Sequence, residues 1–339
     1  MTNLLKHIFI MVLVSTNILY SVEINVLQQD EQSVLLTIEI SDFEITETLI
    51  KDKVYHNVKL QDEPNLLVKG SPSLPHINRS FIIPDMGHGM SVSIVGSESE
   101  VYHDLSILPS KGNLTRNIDI NKVAYSESKV YLDNSLFPGN LYDISDPYVL
   151  RDFRGQVLQL NPFQYNPVTK EMTVYTRLSL EIEFTEPNSI NELTSARSYD
   201  RLVYDYMVLY SNRFLNFETY QTRYSPLPED GELLIICYDS FCDEMDDFVD
   251  WKNQKGIKTT LVPKSSAGTT ASSIKNYVQS FYNANNLSYL LFVGDKSQIP
   301  TFEIGGGYSQ GESDISYAYL SGNDSYPEFF VGRFSSQNG

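Results

Sequence analysis

Two patterns of apolar and polar positions divide the chain near residue 224. Before this point, short segments alternate apolar and polar side chains, as strands with one buried face do. Turns rich in glycine, proline, asparagine and aspartate separate these segments, and the combination is typical of an antiparallel sandwich or barrel-like domain. The clearest predicted strands are residues 34–40, 90–95, 129–132, 156–160 and 172–184.

After residue 224, continuous apolar segments alternate with amphipathic ones. Residues 231–238, 258–262, 289–293 and 329–331 are predicted strands, and residues 243–255 and 272–282 are predicted helices. This order indicates a parallel sheet covered on both faces. Ligands of such sheets bind beyond the carboxyl ends of the strands, which places Gly294 and Asp295 at the edge of a crevice.

These two patterns predict an α+β multidomain protein, with an N-terminal antiparallel β domain followed by the start of an α/β parallel-sheet domain. Between them, residues 194–220 are mixed in character and rich in tyrosine. We expect this segment to be a packed linker or to lie along another domain.

The first 21 residues have the features of a secretory signal. Lys6 and His7 form a short basic start, residues 8–20 are apolar, and Ser21 is a small residue at a plausible cleavage point. This favours export over a retained membrane anchor. No other apolar segment approaches the length of a membrane span, so we expect a secreted mature protein without a transmembrane segment, located outside the cell or at its surface.

The composition is strongly acidic, with 25 basic against 43 acidic residues and a net charge of −18. Nucleic acid binding requires a basic face that neutralises phosphates, so nucleic acid is excluded as a partner. The acidity is consistent with simple solubility or with binding of divalent cations.

The chain contains two cysteines, Cys237 and Cys242, and its five histidines all precede residue 104. Cys237 ends an apolar segment, where it is either a small buried apolar residue or one half of a local disulfide. A catalytic thiol needs a nearby histidine or another activating group. The sequence therefore argues against a catalytic role for either cysteine.

Several ordered motifs in the second part resemble one family. Residues 248–256 read FVDWKNQKG, residues 289–295 read YLLFVGD and are followed by Ile299 and Pro300, and residues 322–335 read GNDSYPEFFVGRFS. Together with the Ser-Asp pair at 313–314, they closely resemble the start of the gingipain catalytic domain. Gingipains are secreted bacterial cysteine endopeptidases with a caspase-like α/β fold. Residues 22–223 resemble the gingipain propeptide more loosely, chiefly at residues 70–75, 83–84 and 163–167.

The resemblance implies a division into a signal peptide (1–21), a propeptide (22–223) and the N-terminal part of a catalytic domain (224–339). It implies cleavage after Arg223, which would free a chain that begins with Tyr224. The propeptide is expected to bind the catalytic domain of the same chain and keep it inactive, and the substrates are expected to be proteins or peptides. A basic loop containing Lys111 and Arg116 is the candidate inhibitory segment.

The resemblance also implies a calcium ion, a cation that prefers carboxylate and carbonyl oxygens. Carboxylates would come from Asp295, Asp324 and Glu328, and main-chain carbonyls from Ser321 and Tyr326. The alternative is that Asp324 only shapes a turn, Glu328 is solvated and Asp295 caps a loop.

In gingipains the catalytic histidine and cysteine lie further along the chain, and this sequence ends at Gly339 before reaching them. We therefore expect these 339 residues to be inactive by themselves and to be part of a peptidase precursor. The alternative function is a secreted binding or adhesion protein, in which the peptidase scaffold is degenerate and the β domain does the work.

Overall fold

A computed structural model describes residues 21–194, 203–221, 231–305 and 311–336. Its strands are β1 (Val22–Gln29), β2 (Ser33–Ile40), β3 (Glu44–Ile50), β4 (Lys53–Lys59), β5 (Ile77–Ile82), β6 (His88–Tyr102), β7 (Tyr142–Ile144), β8 (Tyr148–Leu150), β9 (Phe153–Leu160), β10 (Phe163–Asn166), β11 (Glu171–Pro187), β12 (Glu232–Cys237), β13 (Thr259–Pro263), β14 (Leu287–Val293), β15 (Phe302–Ile304), β16 (Gly311–Ser313) and β17 (Phe330–Phe334). Its helices are α1 (Tyr204–Arg213), α2 (Phe217–Gln221), α3 (Asp246–Gln254), α4 (Lys264–Ala267) and α5 (Ala271–Ala284), with 3₁₀ turns at Ile120–Lys122, Lys129–Leu132, Asp239–Phe241, Asp243–Met245 and Ile315–Tyr317.

Antiparallel sheets build the N-terminal part, as the alternating pattern predicts. One sheet has the order β1-β2-β11-β10, with β6 paired to β11, and another has the order β5-β9-β7, with β8 paired to β9. Strands β3 and β4 form a separate hairpin. Apolar side chains from both main sheets share one core, which includes Leu36, Leu180, Phe81, Leu158 and Phe163.

A parallel sheet of order β13-β12-β14-β17 forms the second part, also as predicted. Successive side chains of a strand point to opposite faces, so β12 contributes to two cores. Leu234 and Ile236 pack with Ile274 and Val278 of α5 on one face. Ile235 packs on the opposite face, where Phe248 and Val249 of α3 cover the sheet. The α+β fold class predicted from the sequence is therefore confirmed.

One predicted strand is wrong: residues Lys129–Leu132 form a 3₁₀ turn. The alternation there does not correspond to one buried face, since Leu132 is 81% exposed. Tyr131 instead points its hydroxyl inward and donates a hydrogen bond to Ile107 O at 2.7 Å.

The tyrosine-rich segment of residues 194–220 contains two helices within its described residues. Tyr210 of α1, Phe214 after it and Phe217 of α2 are buried and pack around Phe153 of β9, and Tyr206 belongs to the same cluster. The segment is thus packed against the N-terminal part. None of the helices described is long and apolar enough to cross a membrane.

Candidate functional site

Strands β12 and β14 are neighbours in the parallel sheet, and their carboxyl ends lie side by side at one end of it. Gly294 follows β14 with a φ of +135°, a conformation that side chains rarely adopt, and so lets the chain turn away from the sheet. Asp295 then accepts a hydrogen bond from the Lys296 N–H at 2.8 Å. Its own N–H donates to Gln298 Oε1 at 2.6 Å and to Ser336 O at 3.1 Å. The hydrogen bonds of Asp295 therefore stabilise the turn that follows β14, at the side of the predicted crevice.

An arginine that the sequence analysis did not single out braces the same edge. Arg333 of β17 donates from Nε to Asp314 Oδ2 at 2.7 Å and from Nη2 to Asp314 Oδ1 at 2.6 Å. Its Nη1 donates to Gly294 O at 2.8 Å. Paired bonds between a guanidinium and a carboxylate are among the stronger hydrogen bonds in proteins. They fix the segment that contains Asp314 against the sheet.

The two cysteines form a disulfide at the carboxyl end of β12. The sequence left two alternatives for Cys237, a small buried apolar residue or one half of a local disulfide, and the structure has the disulfide. The bond joins the last residue of the strand to the turn that precedes α3. Neither cysteine is therefore a free thiol. The described histidines, at 56, 76, 88 and 103, all lie in the N-terminal part.

The loop of residues 321–328 contains four of the five predicted calcium ligands. Asp324 accepts hydrogen bonds from the Tyr326 N–H at 2.9 Å and from the Val149 N–H of β8 at 2.8 Å. Tyr326 stacks on Tyr148, with ring centroids 3.8 Å apart. Glu328 is fully buried, and its Oε2 accepts from the Leu320 N–H at 2.8 Å. The loop therefore contacts the N-terminal part directly, and Glu328 is not the solvated residue that the alternative expected.

The fifth predicted ligand, Asp295, lies at the other end of the sheet. Strands β14 and β17 are parallel, with Tyr289 opposite Phe330 and Val293 opposite Phe334. Asp295 follows the carboxyl end of β14, whereas residues 321–328 precede the amino end of β17. Within the described ranges, no group of three or more His, Cys, Asp or Glu side chains is placed to hold a metal ion. The structure thus gathers Ser321, Asp324, Tyr326 and Glu328 in one loop without Asp295.

The candidate inhibitory residues differ in what they contact. Lys111 folds back on its own loop, where Nζ donates to Ile120 O at 2.7 Å and lies 4.2 Å from the centroid of the Tyr125 ring. Arg116 is exposed in a turn of the same loop. Of the two, Arg116 is the one presented to solvent.

Two further predicted features lie outside the described residues. The processing site, Arg223 and Tyr224, falls in the gap between residues 221 and 231, and the predicted signal peptide falls almost entirely before residue 21.

Two family models match successive parts of the chain. The family model Propeptide_C25 matches residues 18–224, and that of peptidase family C25 matches residues 227–339. Gingipain R1 of Porphyromonas gingivalis is 36% identical over 280 residues, which cover 81% of this chain and 27% of the relative. Gingipain R2 of strain W83 is 34% identical over 280 residues, which cover 81% of this chain and 37% of the relative.

The chain therefore spans about a third of the length of these curated relatives. Among solved structures, the complex of the Porphyromonas gingivalis RgpB pro- and mature domains matches with a TM-score of 0.51 and 27% identity. The match covers 57% of this chain and 97% of that one. With a propeptide match that spans more than half of its length and a peptidase match directly after it, the chain belongs to the gingipain-type C25 family of cysteine peptidases, as a propeptide followed by the start of the peptidase domain.

Proposed function

We propose that this chain is part of the precursor of a secreted, calcium-stabilised cysteine endopeptidase, which its propeptide keeps inactive. The observation that carries this proposal is the direct contact between the two family parts, through Val149 with Asp324 and Tyr148 with Tyr326. Its substrates would be proteins or peptides.

The proposed activation step is cleavage after Arg223. Incubating the chain with purified Arg-specific gingipain R is expected to release a product whose N-terminal sequence begins Tyr-Ser-Pro-Leu. Arg223→Gln should abolish this product, and Arg201→Gln, the matched change at a neighbouring arginine, should leave it intact. A product that begins elsewhere, or equal cleavage of both variants, would refute this processing site.

The proposed inhibitory group is the exposed Arg116, since Lys111 is bonded within its own loop. We expect the Arg223→Gln chain, which is not cut at the proposed processing site, to inhibit gingipain R in a reporter assay. Adding Arg116→Ala to it should weaken inhibition at least tenfold, the effect of about 1.4 kcal/mol of binding. Lys111→Ala is the matched control and should change inhibition little. Equal inhibition with and without Arg116→Ala would eliminate this loop.

The proposed calcium site is centred on the 321–328 loop. Two carboxylates and main-chain carbonyls are the donors that calcium prefers, although one Asp324 oxygen already accepts the Val149 N–H. Calorimetric titration with calcium is expected to show binding that Asp324→Asn removes and Asp247→Asn, at an exposed carboxylate of α3, retains. Loss in Asp295→Asn as well would support the full five-residue set, and binding by Asp324→Asn would contradict the site.

We also propose that these 339 residues alone do not hydrolyse peptides. Both cysteines are tied in the disulfide, and the described histidines lie in the propeptide. Casein and reporters with Arg or Lys before the scissile bond should remain intact. Turnover that is blocked by thiol inhibitors would refute this.

A further inference from the structure

One arginine of the propeptide is buried inside the peptidase part. Arg151 lies in the two-residue turn between β8 and β9, and only 2% of its surface is exposed. Its Nη1 donates to Leu287 O at 2.5 Å and to Glu328 O at 2.9 Å. Its Nη2 donates to Asn286 Oδ1 at 2.7 Å and to Ser288 Oγ at 3.3 Å. All four acceptors belong to the peptidase match.

The propeptide completes the environment of the guanidinium. Asp152 Oδ2 lies 3.5 Å from Nε, and the Tyr206 ring of α1 lies 4.4 Å from Cζ. The Tyr206 hydroxyl also donates to Glu328 O at 3.1 Å. Burial of a charge is costly unless it is paired and hydrogen-bonded, and here a carboxylate, a ring face and four acceptors meet that requirement.

The backbone of Arg151 adopts a conformation that arginine rarely has. Its φ is +51°, where glycine and asparagine are the usual turn residues. A bulky residue in this region persists where its surroundings hold it, and such residues concentrate at functional positions. The side-chain contacts across the boundary provide a reason for an arginine at this turn.

The pocket lies at the amino end of the parallel sheet. Asn286, Leu287 and Ser288 lead into or begin β14, and Glu328 directly precedes the Phe329–Phe330 entry into β17. The crevice edge formed by Gly294 and Asp295 lies at the carboxyl end of the same strands. Docking through Arg151 therefore takes place at the opposite end of the sheet from the crevice.

We propose that Arg151 is the main anchor of the propeptide on the peptidase part, and that residues 286–288 with the Glu328 carbonyl form a guanidinium-binding pocket. This goes beyond the proposed zymogen function because it separates docking from inhibition. Loss of the anchor weakens association whether or not the Arg116 loop reaches the crevice. The pocket recognises a planar guanidinium, since a lysine ammonium cannot place its donors on two pairs of acceptors at once.

The test uses the whole chain with a site-specific protease sequence inserted between Arg223 and Tyr224. After cutting, the two pieces of the unchanged protein are expected to elute together in size-exclusion chromatography. Arg151→Gly suits the turn conformation but removes the guanidinium, and it should raise the dissociation constant by about 100-fold, as loss of a buried hydrogen-bonded charge does. Lys170→Gly is the matched control, because Lys170 also has a positive φ of 57° in a propeptide turn but an exposed side chain.

Two further measurements separate loss of the anchor from general damage. Added methylguanidinium should restore part of the association of the Arg151→Gly pieces, whereas methylammonium should not. Asn286→Ala, on the peptidase side, should weaken association in the unchanged background and add little to Arg151→Gly. Association of Arg151→Gly equal to that of the unchanged chain, or additive losses with Asn286→Ala, would overturn the proposal, and neither outcome depends on peptidase activity.

Discussion

At the scale of single residues, buried arginines organise the propeptide by bonding to carbonyl groups. Arg154 is fully buried, and its guanidinium donates to the carbonyls of Pro84 at 2.9 Å, Asn188 at 3.1 Å and Ile190 at 2.7 Å. Asn191 belongs to the same loop, and its side chain accepts from the Asn323 N–H of the peptidase part at 2.7 Å. Arg154 thus positions a loop that touches the other half of the chain.

We predict that Arg154→Met lowers the free energy of unfolding by about 3 kcal/mol, because several buried carbonyls lose their donor at once. Urea unfolding followed by circular dichroism measures this change. Arg177→Met, at a half-exposed arginine of β11, should cost less than about 1 kcal/mol. Equal losses in the two variants would show that the Arg154 bonds contribute no special stability.

His76 provides a pH-dependent prediction. Burial lowers the pKa of His76 below its usual range, although the Glu63 carboxylate and a hydrogen bond with Pro64 oppose the shift. The unfolded chain then binds a proton more readily than the folded one, so stability rises with pH in this range. Between about pH 7.5 and about pH 5, the unchanged chain should lose more stability on acidification than His76→Gln. Parallel curves for the two proteins would contradict this.

The sequence predicted where the acidic residues lie along the chain better than it predicted what they contact. The acidic positions were correctly identified as turn or loop residues, but their partners depend on which end of a strand each one occupies. The family resemblance assigned Asp295 and Asp324 to one calcium site, whereas the parallel pairing of β14 and β17 puts them at opposite ends of these strands. The Arg-Asp turn at 151–152 between two apolar strands was the available signal for the buried anchor, and a turn arginine ordinarily suggests exposure.

At the scale of elements, periodicity predicted the parallel sheet with its helices and, in the N-terminal part, strands β2, β6, β9 and β11. Both main helices of the peptidase part and its four parallel strands occur where apolar spacing indicated them. Helices α1 and α2 were not predicted as such, although Tyr206, Tyr210, Phe214 and Phe217 recur at the three- and four-residue spacing of one helix face. Their tyrosines were taken as mixed in character with the polar residues between them, and not as the buried positions of a helix. Residues 129–132 show the opposite error, because alternation without a buried face does not make a strand.

The disulfide is predicted to stabilise the junction between β12 and α3. Cys237 and Cys242 are five positions apart, and closing such a short loop restricts the unfolded chain by about 2 kcal/mol. The double variant Cys237→Ala/Cys242→Ala should unfold at correspondingly lower urea concentration. Mass spectrometry after alkylation without reductant checks the bond itself, and incorporation of two alkyl groups would contradict it.

At the scale of the whole molecule, the propeptide and peptidase parts form a continuous set of contacts. Arg151 enters the peptidase part, Asp324 receives the Val149 N–H, and Asn191 receives the Asn323 N–H. Hydrogen bonds thus cross the boundary in both directions. Since Arg151 and Glu328 are both buried at this boundary, we infer that the propeptide stabilises the amino end of the peptidase sheet as well as covering it.

The net charge of −18 leads to a last prediction about the whole chain. Self-repulsion destabilises a compact acidic protein, and raising the salt concentration from about 10 mM to about 150 mM shortens the screening length from about 30 Å to about 8 Å. Sodium chloride should therefore raise the unfolding temperature by about 3 °C, the shift that about 1 kcal/mol makes in a domain of moderate size. Calcium chloride at the same ionic strength distinguishes screening from binding at a site. Binding at the proposed site would raise the unfolding temperature further than sodium chloride does, and Asp324→Asn would remove this additional increase. A melting temperature independent of sodium chloride would contradict a net destabilisation by self-repulsion.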